Sequence, residues 1–208
     1  MYYYRRMRSL PRPVGLALLL AAVALLSGCI STETNVTLEA DGSGTIDLTY
    51  LIDRDAWDTG VFDDSDAARP VPVVRAEFEQ TAQMTEGLEL RSHRISRGED
   101  RVTVEARLRF DSPAALASLL GTETLEIELR DDGGSWRYLV APGGGSNGEQ
   151  AGLLADELSA YTLSFSLRAP ARVEATTGET DGERTATFTA TLGEIASARE
   201  PIVWEVRW

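Results

Sequence analysis

The chain of 208 residues contains a single cysteine, a single histidine and no lysine. One cysteine cannot form a disulfide within the chain, so the fold must be stabilised by its hydrophobic core. With one histidine and one cysteine, a His/Cys metal cluster cannot form, and acid–base catalysis would have to rest on carboxylates. Dinucleotide-binding glycine motifs, P-loops and nucleophile elbows are missing as well. We therefore expect a non-catalytic protein with no cofactor and no metal site.

Positive charge is also scarce. The 20 basic residues, all arginine, stand against 33 acidic residues and give a net charge of −13. Four of the basic residues and none of the acidic ones precede Cys29, so removal of that segment would leave a net charge of −17. Phosphates and anionic headgroups repel so acidic a body. This argues against nucleic acid as a partner and against electrostatic attachment to a membrane.

Long apolar runs are limited to Val14–Leu26, which is shorter than the roughly 20 residues of a membrane-spanning helix. Arginines precede this run, as in a secretion signal. Leu26, Ser27, Gly28 and Cys29 resemble the lipobox of bacterial lipoproteins at all four positions. In that family the cysteine sulfur is alkylated by a diacylglyceryl group and the chain is cut just before the cysteine. A thiolate suits this step because it is a soft nucleophile that forms a thioether.

The lipobox divides the chain into three predicted parts. Residues 1–28 form a signal peptide that is removed, and residues 29–35 comprise the lipidated cysteine and a polar tether. Residues 36–208 form a single α+β envelope domain, a suitable length for one domain. Within it, residues 142–150 are rich in glycine and predict a flexible loop.

The expected location follows from the same motif. The membrane is the first predicted partner, through lipidated Cys29. Ile30 differs from the aspartate that retains lipoproteins in the inner membrane of enteric-type envelopes. We therefore expect the outer membrane in a cell with two membranes, and the outer leaflet of the plasma membrane in a cell with one.

Strict alternation of apolar and polar residues, which is typical of half-buried strands, recurs after the lipobox. Arg101–Phe110 is the clearest run, and Val36–Ala40 and Thr45–Ile52 flank a predicted hairpin turn at Asp41–Gly44. Pairs of strands alternate with helices that begin near proline and end at glycine. The pattern predicts an α+β fold of mainly antiparallel sheet, built from ββα-type units, with two to three helices packed on one side.

Three polar features have both a functional and a structural interpretation. Asp41–Gly44 could bind calcium or form a tight turn. The acidic stretch Asp53–Ala68 could bind a metal or form a solvated loop with an aromatic residue held in the core. His93 is compatible with a catalytic or metal-binding role, or with a surface position. In each case we favour the structural interpretation.

The layout resembles that of the LppM-like lipoproteins of bacteria. The shared features are the lipobox Cys29, an amphipathic strand close behind it, the hairpin at Asp41–Gly44, the alternating strand Tyr161–Leu167 and the tryptophan-bearing end Trp204–Trp208. The resemblance implies an α+β domain at the cell envelope, with a lipid or glycolipid as the ligand. It supplies no catalytic residues.

We therefore expect a lipid-anchored binding module whose sheet holds an apolar ligand. The predicted lining residues are large inward aromatic side chains: Phe78, Phe110, Trp136, Tyr138, Phe165, Trp204 and Trp208. The alternative is an envelope assembly protein that docks a protein partner through a strand edge or an acidic face containing Asp63, Asp64 and Asp66. A hydrolase that relies on carboxylates alone ranks behind both.

Overall fold

The computed structural model of the chain describes residues 30–60, 62, 72–121, 124–140, 155 and 158–208. The predicted signal peptide, the lipobox with Cys29, the loop 142–150 and the acidic cluster Asp63, Asp64 and Asp66 lie outside these residues. Within the described ranges the chain forms eleven strands and four helices. They are β1 (Ile30–Leu38), β2 (Gly44–Asp53), α1 (Arg54–Asp58), α2 (Arg75–Met84), β3 (Leu88–Arg97), β4 (Arg101–Phe110), α3 (Pro113–Leu120), β5 (Leu125–Arg130), β6 (Gly133–Val140), β7 (Thr162–Arg168), β8 (Ala175–Thr176), β9 (Glu179–Thr180), β10 (Thr185–Thr191), α4 (Leu192–Ser197) and β11 (Ile202–Arg207).

The strands form two sheets. The large sheet has the order β3-β4-β2-β1-β7-β10-β9, and the small sheet has the order β5-β6-β11-β8. All pairs are antiparallel except β1 with β7, which run parallel in the middle of the large sheet. The predicted α+β class and the predominance of antiparallel pairing are confirmed. The strand and helix order up to β6 also follows the predicted ββα units.

Period-two alternation places one face of the large sheet against the core. In β4 every second side chain from Val102 to Phe110 is almost completely buried, as the sequence predicts. A single hydrophobic cluster includes residues from both sheets, together with Phe78 of α2 and Leu116 of α3. The two sheets and these helices therefore share one core.

The predicted hairpin turn between β1 and β2 is present. Gly42 has a φ of 85°, a conformation that glycine adopts without steric cost. The Asp41 carboxylate accepts hydrogen bonds from the hydroxyl and the backbone N–H of Ser43 at 2.7 and 2.9 Å, and these bonds lower the pKa of Asp41. The short polar residues of this motif close the turn.

The predicted polar tether at residues 29–35 is wrong from Ile30 onward. β1 begins at Ile30 and pairs with β2 along its whole length and with β7 from Thr32 to Thr37. Strand partners on both sides satisfy the backbone hydrogen bonds of this polar segment. The domain therefore starts directly after Cys29.

The acidic stretch Asp53–Ala68, predicted to be irregular, begins with helix α1. An ion pair of 2.8 Å joins Arg54 to Asp58 one turn later, and Trp57 is buried and stacks on Phe62 with ring centroids 5.4 Å apart. The predicted aromatic residue held in the core is thus confirmed. Among the described residues, no group of three or more His, Cys, Asp or Glu side chains is placed to hold a metal ion.

His93 is half-buried, contrary to the surface position predicted for it. Its Nε2 lies 2.9 Å from the carbonyl oxygen of Val73, and its ring packs at 5.4 Å from that of Phe78. His93 thereby connects β3 to the segment that leads into α2.

In the part of the chain that the structure describes, none of the helices is long and apolar enough to cross a bilayer.

Candidate functional site

The seven aromatic residues predicted to line an apolar site all lie in or against the core. Tyr138 is half-buried, and the other six are at most 6% exposed. Their inward orientation follows from the alternation of the strands and from the apolar face of α2. That they line a ligand site remains a prediction.

Four of these residues come together where the two sheets meet. The ring of Trp204 lies 5.9 Å from that of Trp136 and 6.2 Å from that of Phe165, and the rings of Tyr138 and Phe165 are 4.5 Å apart. Phe188 of β10 joins them at 6.1 Å from Trp204. We call these five residues the aromatic cluster. Sequence reasoning missed Phe188, although it alternates with threonines in β10.

The other three predicted residues lie apart from this cluster. Phe78 of α2 packs against His93 of β3. Phe110 ends β4 and faces Gly44, at the end of the large sheet opposite Ile30. Trp208 is held beside β6 by two backbone hydrogen bonds with Gly134. These three rings fill the core at other positions, so the seven residues do not form a single site.

Hydroxyl groups interrupt the inner face of the large sheet close to Ile30. Thr32 pairs with Tyr50 of β2 on one side and with Leu163 of β7 on the other. The Oγ1 atom of Thr32 is buried and has no hydrogen-bond partner in the described chain. Tyr50 is 4% exposed, and burial raises the pKa of its hydroxyl far above the ordinary value.

The small sheet contributes a second pair of polar side chains, Trp136 and Tyr138 of β6. Trp136 is 1% exposed, and its Nε1 atom has no hydrogen-bond partner among the described residues. By contrast, Nε1 of Trp204 donates a hydrogen bond to Oγ1 of Thr176 at 3.3 Å. Burial also raises the pKa of the Tyr138 hydroxyl. Trp136 and Tyr138 thus belong to the aromatic cluster and also carry polar atoms.

Strand register connects Thr32 of β1 to the aromatic cluster. Thr34, which is 4% exposed, follows Thr32 on the same face and pairs with Phe165 of β7. Phe165 in turn contacts Tyr138. Toward Ile30, the inward side chains of β1 therefore change from apolar, at Leu38 and Val36, to hydroxyl-bearing, at Thr34 and Thr32.

Buried groups that lack partners are unfavourable. Each costs about 1–3 kcal/mol, and native proteins pair such groups with water or a ligand. The two atoms without a partner among the described residues belong to a threonine hydroxyl and an indole N–H, both neutral at pH 7. They can donate and accept hydrogen bonds, and they suit a neutral polar group better than an ion.

The sequence carried a signal for this arrangement. Thr32 and Thr34 continue the inward series of Val36 and Leu38 with period two, so the strand could have been extended back to Ile30. Their polar character instead led to the prediction of a tether. Polar residues at inward positions of a central strand are themselves a sign of function or strain.

Comparison with known proteins shows the fold of the chain. No family model matches the sequence, and no curated protein matches it. The chain has the same α+β architecture as a solved structure, the folded domain of the LppM protein of Mycobacterium tuberculosis determined by NMR. The two share 9% sequence identity with a TM-score of 0.53, over 86% of this chain and 88% of that domain. The resemblance inferred from the sequence is thus supported at the level of the fold.

Proposed function

We propose that the protein is a lipid-anchored binding module of the cell envelope that holds an apolar ligand bearing a neutral polar group, without transforming it. The observation that carries this proposal is the pair of buried polar atoms without a partner among the described residues, Thr32 Oγ1 and Trp136 Nε1, in a core that also contains the aromatic cluster. Ligand sites in proteins are mostly apolar, with a few polar groups that fix orientation. Thr32 and Tyr50 supply hydroxyl groups near Ile30, and Trp136 and Tyr138 supply polar atoms within the aromatic cluster.

The position of Thr32 relative to the predicted anchor supports the same function. Thr32 lies three residues after Cys29, which corresponds to about 10 Å along a strand. Acylation of Cys29 would therefore hold this end of the large sheet at the membrane surface. A ligand that enters from the bilayer would have only a short distance to travel.

Replacing Thr32 with valine tests the proposal. The change keeps the side-chain shape and removes an unpaired hydroxyl, so the ligand-free protein should be as stable as the original or up to about 1 kcal/mol more stable. Loss of one hydrogen bond to the ligand should weaken its affinity roughly five- to tenfold. The measurements are the urea midpoint and the fraction of protein that retains a ligand mass in native mass spectrometry, after purification of the full chain from its own cells.

Thr37→Val is the matched control, because Thr37 lies on β1 with its side chain on the opposite face. It should leave the retained ligand mass unchanged. Absence of any bound ligand mass from the original protein would contradict the proposal, as would equal retention by the Thr32 and Thr37 variants.

The alternative function, docking of an envelope protein, has weaker support. β3 is an edge of the large sheet, but it contains a bulge between Leu90 and Ser92 and exposes Arg91, Arg94 and Arg97. Bulges and charged side chains on an edge strand discourage pairing with another strand. Docking through the acidic cluster Asp63, Asp64 and Asp66 is tested by a pull-down from cells, which should lose the same partner in high salt and on replacement of the three residues by asparagine.

A further inference from the structure

A shallow depression of about 420 Å³ lies on the surface beyond the ends of β7 and β10. Its lining residues are Arg172, Gly182, Glu183 and Arg184. Two backbone hydrogen bonds join its two sides: Val173 N–H donates to the oxygen of Glu183 at 2.7 Å, and Ala169 N–H donates to that of Arg184 at 2.8 Å. The backbone segments on the two sides of the depression are thus held together by hydrogen bonds.

Both guanidinium groups are oriented by the backbone. Nε of Arg172 donates to the oxygen of Gly182 at 3.1 Å, and Nε of Arg184 donates to the oxygen of Ala169 at 2.9 Å. Neither bond uses the terminal nitrogens, which keep four N–H donors on each side chain. An arginine fixed in this way loses less conformational entropy when it binds a ligand.

The two arginines also lack acidic partners. Several other arginines of the protein pair with carboxylates, such as Arg54 with Asp58 and Arg137 with Glu205. In the described part of the chain, no ion pair within 4.0 Å includes Arg172 or Arg184. What distinguishes these two arginines is that both line the same depression.

We propose that Arg172 and Arg184 bind an oxyanion group, a carboxylate or a phosphate, in this depression. The guanidinium fork matches both kinds of oxyanion with two parallel hydrogen bonds. Glu183 reduces the affinity because its negative charge lies in the same lining. The site is solvent-exposed, so binding of a free anion should have a dissociation constant on the order of millimolar.

The location of the site indicates where the anion comes from. Arg168, at the end of β7, pairs with Thr37, whereas Ile30 lies at the other end of β1. The seven residues that separate Thr37 from Ile30 correspond to about 23 Å along a strand. With Cys29 acylated, the site would face away from the membrane and would meet anionic groups of the cell wall or of another protein before lipid headgroups.

The test measures the thermal unfolding midpoint of the full chain in detergent. Sodium phosphate, or in a second series sodium acetate, replaces sodium chloride at constant ionic strength. The original protein should show a saturable rise with at least one anion. The rise should disappear in Arg172→Gln/Arg184→Gln and remain in Arg199→Gln, the control at an exposed arginine outside the depression. In Glu183→Gln, the anion concentration at half-saturation should fall roughly two- to fivefold.

Each result has a defined meaning. A rise with phosphate alone identifies phosphate as the ligand group, and a rise with acetate alone identifies a carboxylate. The proposal is overturned if neither anion gives a saturable rise, or if the double variant responds like the original protein; the two arginines then serve only to join the loops. If the double variant does not fold, NMR of the arginine Nε–H groups of the original protein decides, because phosphate or acetate must shift the signals of Arg172 and Arg184 and leave that of Arg199 in place.

Discussion

Replacing Trp204 with alanine is expected to lower the free energy of unfolding by about 3–5 kcal/mol, the usual cost of removing a buried aromatic side chain. Trp204 is fully buried in the small sheet and contacts Phe165 and Phe188 of the large sheet. Its loss opens a cavity between the sheets and leaves the Thr176 hydroxyl without its indole partner. Because domains are typically stable by only about 5–15 kcal/mol, this loss is a large fraction of the total and should lower the urea midpoint clearly.

Urea denaturation followed by far-ultraviolet circular dichroism measures this effect. Trp204→Phe is the first control and should cost less, because it keeps a ring between the sheets. Met84→Ala is the second, since Met84 is 77% exposed and the change should stay within about 0.5 kcal/mol. A loss below about 1.5 kcal/mol for the alanine variant would show that the two sheets are not held together by this ring.

Replacing Cys29 with serine should abolish acylation and, with it, attachment to the membrane through a lipid. A serine hydroxyl does not form the thioether that the lipobox resemblance implies, and the acidic body has no electrostatic attraction to anionic lipids. Intact mass spectrometry of protein from its own cells should find acyl mass on the original chain and none on the variant. Membrane flotation should find the variant in the soluble fraction or retained with its uncut leader.

A displaced cysteine provides the matched control. Ser31→Cys in the Cys29→Ser chain restores a thiol two residues away, outside the lipobox position and inside β1. It should remain unacylated. Acyl mass on this double variant, or an original protein recovered with its leader intact and an unmodified thiol, would contradict the lipoprotein assignment.

Local pattern predicted much of the fold. Arg101–Phe110 and the Asp41–Gly44 turn are determined by alternation and by short polar residues close in sequence, so the sequence alone indicates them. The parallel pairing of β1 with β7 was not predicted. It joins segments such as Thr32 and Leu163 that are far apart in the sequence, and no local property of either segment specifies the other.

The candidate site was harder to predict than the fold. Burial of the seven aromatic residues follows from their positions on alternating strands, but their distribution depends on which strands are neighbours. Sequence could not indicate that Phe165 and Trp204 meet between two sheets while Phe110 lies at a distant end. The missing partners of Thr32 Oγ1 and Trp136 Nε1 depend on atomic positions in the folded core.

The central place of β1 has a mechanical consequence. A force applied to the N-terminal segment of the chain acts along β1. This strand is paired with β2 over its full length and with β7 from Thr32 to Thr37. Inter-strand hydrogen bonds lie across the strand direction, so the load is shared among many of them as shear instead of breaking them one by one as in peeling. A domain pulled at this point should resist mechanical unfolding, and its lifetime under tension is set by its unfolding rate.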